Sequence, residues 1–250
     1  IYALFLPNVY KSEALMMSVE TNSGMSGMLG QYSGMASLAG ISLQSKSTSK
    51  SQEAIARIQS FEFFSNHILP NIALENLLAV KKWNSEKNTI LYDESIFNSE
   101  LSKWVHTTNL SKPSAQKAYE TFKEILIISE NKSTSLVSLS VKHKSPFIAQ
   151  NWVELIMSQI DQSMRDQDKQ EAMKAIEYLN SITATVNYEE IKNALSSLQQ
   201  EQMKRLMMVE ASENYIFKVL DPPVAPEKKF EPKRSIIVII GTFLGMMFSI

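Results

Sequence analysis

The sequence predicts an α+β fold: a membrane-proximal mixed α/β domain with a very long projecting helix, flanked by two transmembrane helices that are both truncated here. Three observations predict it. Between Pro146 and Pro222 there is neither glycine nor proline, and apolar residues recur at helical spacing. Shorter segments on both sides of that stretch are typical of strands. Uncharged apolar runs stand at both ends of the 250-residue chain.

Composition excludes several classes of function. Apolar residues make up 44% of the chain, enough for a sizeable core, so overall disorder is excluded. Lys and Arg number 25 against 26 Asp and Glu, and this balance gives no basic excess for binding nucleic acid. There is no cysteine, which excludes disulfide scaffolds, iron–sulfur clusters and thiol nucleophiles. We expect no cofactor and no metal.

The two ends predict membrane segments. Residues 235–250 (SIIVIIGTFLGMMFSI) carry no charge and are interpreted as the start of a second transmembrane helix, since a span needs about 20 apolar residues. A buried core helix is the alternative. Gly241 and Gly245 form a GxxxG pair, a candidate for close membrane-helix packing. The candidate membrane-interface collar precedes this run and consists of Pro226, Pro232, Lys233 and Arg234. Residues 1–7 (IYALFLP) are interpreted as the end of a first transmembrane helix.

Residues 8–145 and 213–234 are assigned to the membrane-proximal α/β domain. Strands are predicted over residues 9–19, 89–92, 125–130, 136–144 and 214–220. Helices are predicted over residues 51–67, 71–83, 95–105 and 113–123, and a Ser/Lys-rich linker over 42–51. The first and last strands both adjoin a predicted membrane helix, so we expect them to pair in one membrane-proximal sheet.

Residues 146–212 form the predicted long helical region. As a single helix it would extend about 100 Å at 1.5 Å per residue, although a break near Thr183–Val186 is also compatible with the β-branched residues there. Such a helix buries little of its own apolar stripe, so we expect homo-oligomerisation. The candidate oligomer or partner face consists of Trp152, Ile156, Ile160, Met164, Met173, Ile176, Leu195 and Leu198. Residues 165–171 (RDQDKQE) are polar on every face and are expected to be exposed.

No catalytic, cofactor-binding or metal-ligating residue is predicted. The three histidines, His67, His106 and His143, have no metal-ligand spacing. Asp161, Asp166 and Asp168 are interpreted as a solvated helix face rather than a metal site. The chain is therefore not expected to be an enzyme.

Near the end of the chain stands the segment Tyr215-Ile216-Phe217-Lys218-Val219-Leu220-Asp221-Pro222-Pro223-Val224-Ala225-Pro226, followed by Pro232-Lys233-Arg234 and an apolar helix. This segment resembles the C-terminal signature of the Wzz chain-length determinants, a family of polysaccharide co-polymerases. Residues 186–211 are similar to the end of that family's long helix, and residues 9–15 to the strand after its first membrane helix. The resemblance is strong over residues 186–240 and loose over residues 85–135.

The resemblance implies an inner-membrane protein of a Gram-negative bacterium with its main domain in the periplasm. It implies a homo-oligomer that sets the modal length of O-antigen or a related surface polysaccharide together with a Wzy-type polymerase and the nascent glycan. The family shares no catalytic motif, so no catalytic residue is carried over. The positive-inside rule would instead place the basic collar in the cytoplasm.

Two alternatives remain open from the sequence. One is a capsule or exopolysaccharide co-polymerase linked to a cytoplasmic tyrosine kinase, which some relatives of the family carry. The other is a periplasmic adaptor of an exporter, although the second membrane segment and the lack of Gly-punctuated β repeats argue against it.

Overall fold

A computed structural model of the chain describes residues 6–19, 50–105, 112–237 and 239. Residues 1–5, 240–250 and most of the predicted linker lie outside this part, and so do His106, Gly241 and Gly245. Within the described residues, no helix has both the length and the apolar character needed to cross a bilayer.

The described chain is a mixture of helices and strands. The strands are β1 (Tyr10–Ser18), β2 (Val80–Asn84), β3 (Thr89–Tyr92), β4 (Phe97–Asn98), β5 (Lys103–Trp104), β6 (Leu126–Asn131), β7 (Leu136–His143) and β8 (Phe217–Asp221). The helices are α1 (Lys50–Ile58), α2 (Phe61–Phe63), α3 (Leu74–Leu78), α4 (Ala115–Ile125), α5 (Pro146–Thr183) and α6 (Glu189–Ala211). A π-turn over Phe64–Ile68 and a 3₁₀ turn over Leu69–Asn71 follow α2.

The chain divides into two compact units. The first unit comprises Ile1–Met17, Arg57–Gln159 and Val219–Ile250, and the second comprises Ser18–Ala56 and Ile160–Lys218.

A four-stranded sheet has the strand order β6-β7-β1-β8. Strand β7 pairs antiparallel with both β6 and β1, and the register sets Ala14 opposite Leu139 and Met16 opposite Val137. All four of these side chains are buried, because alternate residues of each strand face the core. The neighbouring positions of β1 and β8 confirm the predicted pairing of the first and last strands.

Helices α2 and α4 supply much of the core of the first unit. Ser60 caps α2 by accepting a hydrogen bond from the Phe63 backbone N–H at 3.1 Å, so the predicted helix over 51–67 is interrupted at this point. Phe64 and Phe122 are fully buried, with ring centroids 4.9 Å apart. The predicted helix over 113–123 is confirmed as α4, shifted by two residues at each end.

Two predicted helices are wrong. Residues 71–83 contain only the short α3, and residues 80–84 form strand β2, which pairs with β3. Residues 95–105 form the hairpin of β4 and β5 instead of a helix. Side-chain oxygens organise both turns, because Asn84 Oδ1 accepts from the Glu86 N–H and Asn98 Oδ1 from the Leu101 N–H. Such local side-chain bonds compete with helix formation.

The predicted long helix is confirmed as α5, whose 38 residues extend about 57 Å at 1.5 Å per residue. It does not continue to residue 212, because residues 184–188 separate it from α6. The Thr185 side chain and backbone N–H both bond to Ile182 O, which ends the helix at the predicted break. In the second unit α6 returns antiparallel beside α5, as the Asn180–Gln199 hydrogen bond and the Glu171–Arg205 ion pair demonstrate. We call this pair the helical hairpin.

Candidate functional site

A buried carboxylate lies at the centre of an ion cluster within the second unit. Asp168, only 6% exposed, accepts hydrogen bonds from Lys50 Nζ at 2.5 Å, from Arg205 Nη2 and from the Tyr215 hydroxyl. Lys50 Nζ also donates to the Tyr215 hydroxyl oxygen at 2.7 Å. Arg205 reaches a second carboxylate, that of Glu171, at 3.1 Å. The ion cluster consists of these five side chains, and it connects the start of α1, both helices of the hairpin and the segment before β8.

The ion cluster shifts the titration of its own members. Burial alone would raise the pKa of the Asp168 carboxyl, but the hydrogen bonds from Lys50 and Tyr215 and the charges of Lys50 and Arg205 lower it below its usual value. Burial and the hydrogen bond to Asp168 raise the pKa of the Tyr215 phenol. The cluster is therefore ionised at Asp168 and neutral at Tyr215 at neutral pH, which is the state that its hydrogen bonds require.

Arg165 fixes the end of the hairpin beside this cluster. Its Nε pairs with Asp161 at 2.6 Å, while Nη1 donates to Val209 O at 2.7 Å and Nη2 to Glu213 O at 3.0 Å. Val209 lies in the last turn of α6, where backbone carbonyls lack helical partners. The Asp161 carboxylate in turn accepts from the Tyr215 backbone N–H at 3.2 Å. These bonds attach the Tyr215 segment to α5.

An apolar groove lies between the two helices of the hairpin. It has a volume of about 620 Å³, and its apolar lining is Met173, Ile176, Met203 and Leu206. Met173 is 54% exposed, although methionine is a large apolar residue. Lys174 and Glu177 line the same groove with opposite charges, so the groove carries little net charge. Further along the hairpin, Tyr178 and Tyr188 are also exposed.

The two ends of the described chain meet within the first unit. Val9 and Glu231 form an antiparallel bridge, with the Val9 N–H donating to Glu231 O at 2.9 Å. Arg234 Nη2 donates to Leu6 O at 3.3 Å and to Asn8 Oδ1 at 3.2 Å. Residues next to both predicted transmembrane segments are thus hydrogen-bonded to each other. We call this region the terminal junction.

No protein-family model and no curated protein matches the chain. A full-length bacterial polysaccharide co-polymerase of known structure matches at 13% identity and a TM-score of 0.34, covering 99% of this chain and 85% of its own. A fragment of WzzB, the polysaccharide co-polymerase from Salmonella Typhimurium, matches at 11% identity and 0.32, covering 90% of this chain and 100% of its own. A mutant of the Shigella flexneri lipopolysaccharide O-antigen chain-length regulator WzzBSF matches at 12% and 0.25, covering 88% and 99%.

The chain is similar to Wzz-type polysaccharide co-polymerases.

The structure separates the candidate oligomer or partner face into two groups. The first four residues are buried within the chain itself: Trp152, Ile156, Ile160 and Met164. The other four retain accessible surface: Met173, Ile176, Leu195 and Leu198. Met173 and Ile176 line the apolar groove, whereas Leu195 and Leu198 lie on α6 outside it. Of the collar, Lys233 is exposed, and Pro226, Pro232 and Arg234 are half-buried.

The prediction of a fully solvated acidic face on α5 is wrong at one position. Asp166 is exposed, but Asp168 is buried because three donors surround its carboxylate. Sequence reasoning missed Lys50, which was predicted to lie in a linker and is the first residue of α1. Lys50 is 118 residues from Asp168 along the chain, and Arg205 is 37 residues from it. No local sequence spacing therefore indicates the cluster.

In the described part of the chain, no group of three or more His, Asp or Glu side chains could hold a metal ion. His143 is buried, accepting at Nδ1 from the Ser145 N–H and donating from Nε2 to Asn76 O at 2.8 Å. Burial lowers its pKa, so it is a neutral core residue.

Proposed function

We propose that this chain is a membrane-anchored, oligomeric regulator of surface polysaccharide chain length, of the O-antigen type, without catalytic chemistry of its own. The observation that carries the proposal is the segment 215–226, which resembles the Wzz signature. Tyr215, Ile216 and Phe217 of this segment are buried, and Tyr215 joins the ion cluster. The signature therefore belongs to the packed framework that leads the chain toward the collar.

The terminal junction supports the proposed anchoring. Arg234 precedes one apolar run and is hydrogen-bonded to Leu6, which ends the other. Two transmembrane helices that leave the domain from one place would enter the same bilayer from the same side. We assign the protein to the inner membrane of a Gram-negative bacterium, with its main domain in the periplasm. The collar residues then lie at the membrane surface.

The apolar groove supports a homo-oligomer. Exposed apolar residues on both helices leave hydrophobic surface that a partner would bury with a gain in free energy. A second copy of the chain is the proposed occupant, because its own hairpin carries methionine, leucine and tyrosine side chains of the same kind. The near-neutral rim of Lys174 and Glu177 would not repel an identical surface.

The proposed mechanism depends on binding and on the size of the oligomer. The oligomer would gather a Wzy-type polymerase and the nascent glycan at the periplasmic surface of the membrane. Its size and surface would set how long the polymerase continues to extend one chain. The protein would contribute binding and geometry, while the polymerase would contribute bond formation.

The first test is a gel of surface polysaccharide from a strain that lacks the gene, with and without a restored full-length copy. We expect polymer to persist after deletion with its preferred length lost, and to regain that length when the copy is restored. Loss of all polymer would favour a role in capsule or exopolysaccharide export. An unchanged ladder, with other surface glycans also unchanged, would contradict the proposal.

A further inference from the structure

A cleft of about 960 Å³ lies in the first unit beside the terminal junction. Five parts of the chain form its walls: the first described residues, Leu78 at the end of α3, the β2–β3 hairpin with the loop after it, Lys144 after β7, and Arg234. Its four cationic side chains are Lys81, Lys82, Lys144 and Arg234. We call it the basic cleft.

The charge of the basic cleft differs from that of the whole chain. Four cations and two acids, Asp93 and Glu94, line it, which leaves a formal charge of +2, whereas the chain carries −1. Both acids already have local partners: Asp93 accepts from the Ser95 hydroxyl at 2.6 Å, and Glu94 from the Ser99 hydroxyl at 2.8 Å. The cleft therefore favours an anion.

Lys144 is the cation of the cleft whose ammonium group loses hydration through burial. The residue is half-buried, and its Nζ donates to Val80 O at 2.5 Å. Burial lowers the pKa of this ammonium group, while the charge of Asp93 raises it only in part. A bound phosphate would compensate that loss of hydration. Lys81 and Lys82, both exposed on β2, could bind the same anion from the solvent side.

The remaining walls of the cleft suit a lipid rather than a soluble ion. Leu91 is 51% exposed and Ile96 39% exposed, so apolar surface accompanies the cations. Trp83 and Tyr10 meet edge to face with ring centroids 5.5 Å apart. Trp and Tyr are enriched where proteins meet the bilayer surface, because their rings have an apolar body and a polar edge. Leu6 and Pro7, which also line the cleft, are the described residues of the first predicted membrane segment.

We infer that the basic cleft binds the phosphate headgroup of an anionic membrane lipid whose hydrocarbon tail stays in the bilayer. This inference rests on the proposed membrane anchoring, which sets the cleft at the bilayer surface. The lysines and Arg234 bind the phosphate, and Leu91, Ile96 and Trp83 contact the first carbons of the tail. The cleft volume is at the upper end of the range of small-molecule sites, so a headgroup and part of a tail fit together.

The test is calorimetric titration of the full-length protein in a non-ionic detergent. The probe is short-chain phosphatidic acid, compared with phosphatidylcholine of the same chain length and with inorganic phosphate. The test variant is Lys81→Gln/Lys82→Gln, whose side chains are exposed and whose loss leaves the core intact. The matched control is Lys228→Gln/Lys229→Gln, which removes the same charge from exposed residues that do not line the cleft.

We expect phosphatidic acid to bind the wild type, and its affinity to fall at least about tenfold in the cleft variant, since each interfacial lysine contributes to anionic lipid binding. The control variant keeps the wild-type affinity within about twofold. Equal affinity for phosphatidylcholine, equal loss in both variants, or no loss in the cleft variant overturns the inference. Inorganic phosphate that displaces the lipid at the same concentration identifies a free-phosphate site and also overturns it.

The polysaccharide gel separates this inference from the proposed function. A deletion strain with an unchanged ladder refutes the chain-length role, even if the cleft binds phosphatidic acid selectively. A restored modal length together with unselective lipid binding refutes the lipid site and leaves the chain-length role in place.

Discussion

In two regions of the helical hairpin, burial is the opposite of what the polarity of the residues predicts. The ion cluster belongs to a stretch of α5 that is polar on every face, yet Asp168 at its centre is 6% exposed. Met173 lies five residues later in the wall of the apolar groove, yet it is 54% exposed. Burial along this helix follows the available partners and not the polarity of the side chains.

The comparison explains what each region can do. A buried carboxylate with cationic and hydroxyl donors is costly to disturb, because loss of one partner leaves the others uncompensated. Exposed methionines are flexible, and burying them against a partner is favourable. The ion cluster is therefore expected to stabilise the hairpin, and the apolar groove to serve an external partner.

The largest expected effect comes from removing the centre of the ion cluster. Asp168→Ala leaves Lys50, Arg205 and the Tyr215 hydroxyl without their shared acceptor, and we expect unfolding to become easier by about 2–3 kcal/mol. Thermal unfolding of the full-length protein in detergent measures this. Asp166→Ala, an exposed neighbour on the same helix, is the control and should change little. Equal loss in both variants would contradict the central role of Asp168.

A pH series on Asp168→Asn tests whether the ionised Asp168 carboxylate is the source of the stability that the ion cluster contributes. The folded-state pKa of Asp168 is lowered, so its contribution is fully present above the unfolded pKa of about 3.9 and is lost as the pH falls through the folded value. We expect the stability difference between wild type and variant to be constant from neutral pH to about pH 5 and to shrink below about pH 4. Met173→Ala, from the apolar groove, should give a difference without this pH dependence. A gap that stays constant in acid would exclude ionisation as its source.

The apolar groove is tested by Met173→Glu. A carboxylate at this exposed position should leave the fold intact but disfavour burial against a second copy, because burying an unpaired charge costs free energy. We expect smaller assemblies in light scattering of the detergent-solubilised protein, with the unfolding temperature nearly unchanged. The matched control is Gln200→Glu, an exposed position of α6 that does not line the groove. Wild-type assemblies in both variants would remove the groove from the oligomer interface.

The smallest expected effect concerns an ion pair outside the cluster. Lys169 and Glu210 pair across the hairpin next to Asp168, but both side chains are about half exposed to water. Solvent and salt screen such pairs, so Glu210→Gln should leave the unfolding midpoint within experimental error. A shift comparable to that of Asp168→Ala would mean that charge pairing, and not burial, gives the ion cluster its effect on stability.

The elements that follow from local patterns were predictable. Strand β7 alternates buried and accessible side chains over much of its length, and β1, β3 and β6 were likewise predicted near their observed bounds. The break near residue 183 was also foreseen from its β-branched residues. The helices predicted over 71–83 and 95–105 failed, because Asn84 and Asn98 form turns through their side chains. Apolar residues in such short segments fit either a helix or a strand.

The candidate sites were less predictable than the fold. The apolar stripe of residues 152–198 was visible, but its division into a buried and an exposed half depends on which elements cover it. The basic cleft joins Lys81, Lys144 and Arg234, which are separated by more than 60 residues at each step. No periodicity connects such residues, since only the chain's return path brings them together.

The sequence alone determined the α+β class, the long helix, the apolar runs at the chain ends and the resemblance to the chain-length determinants. These depend on composition and on spacing along the chain, which the covalent order preserves. Tertiary structure alone decided that Asp168 is buried, that α6 returns beside α5, and that Lys144 faces a cleft shared with Arg234. Burial and ion pairing are properties of neighbours in space, and they arise only when distant segments pack together.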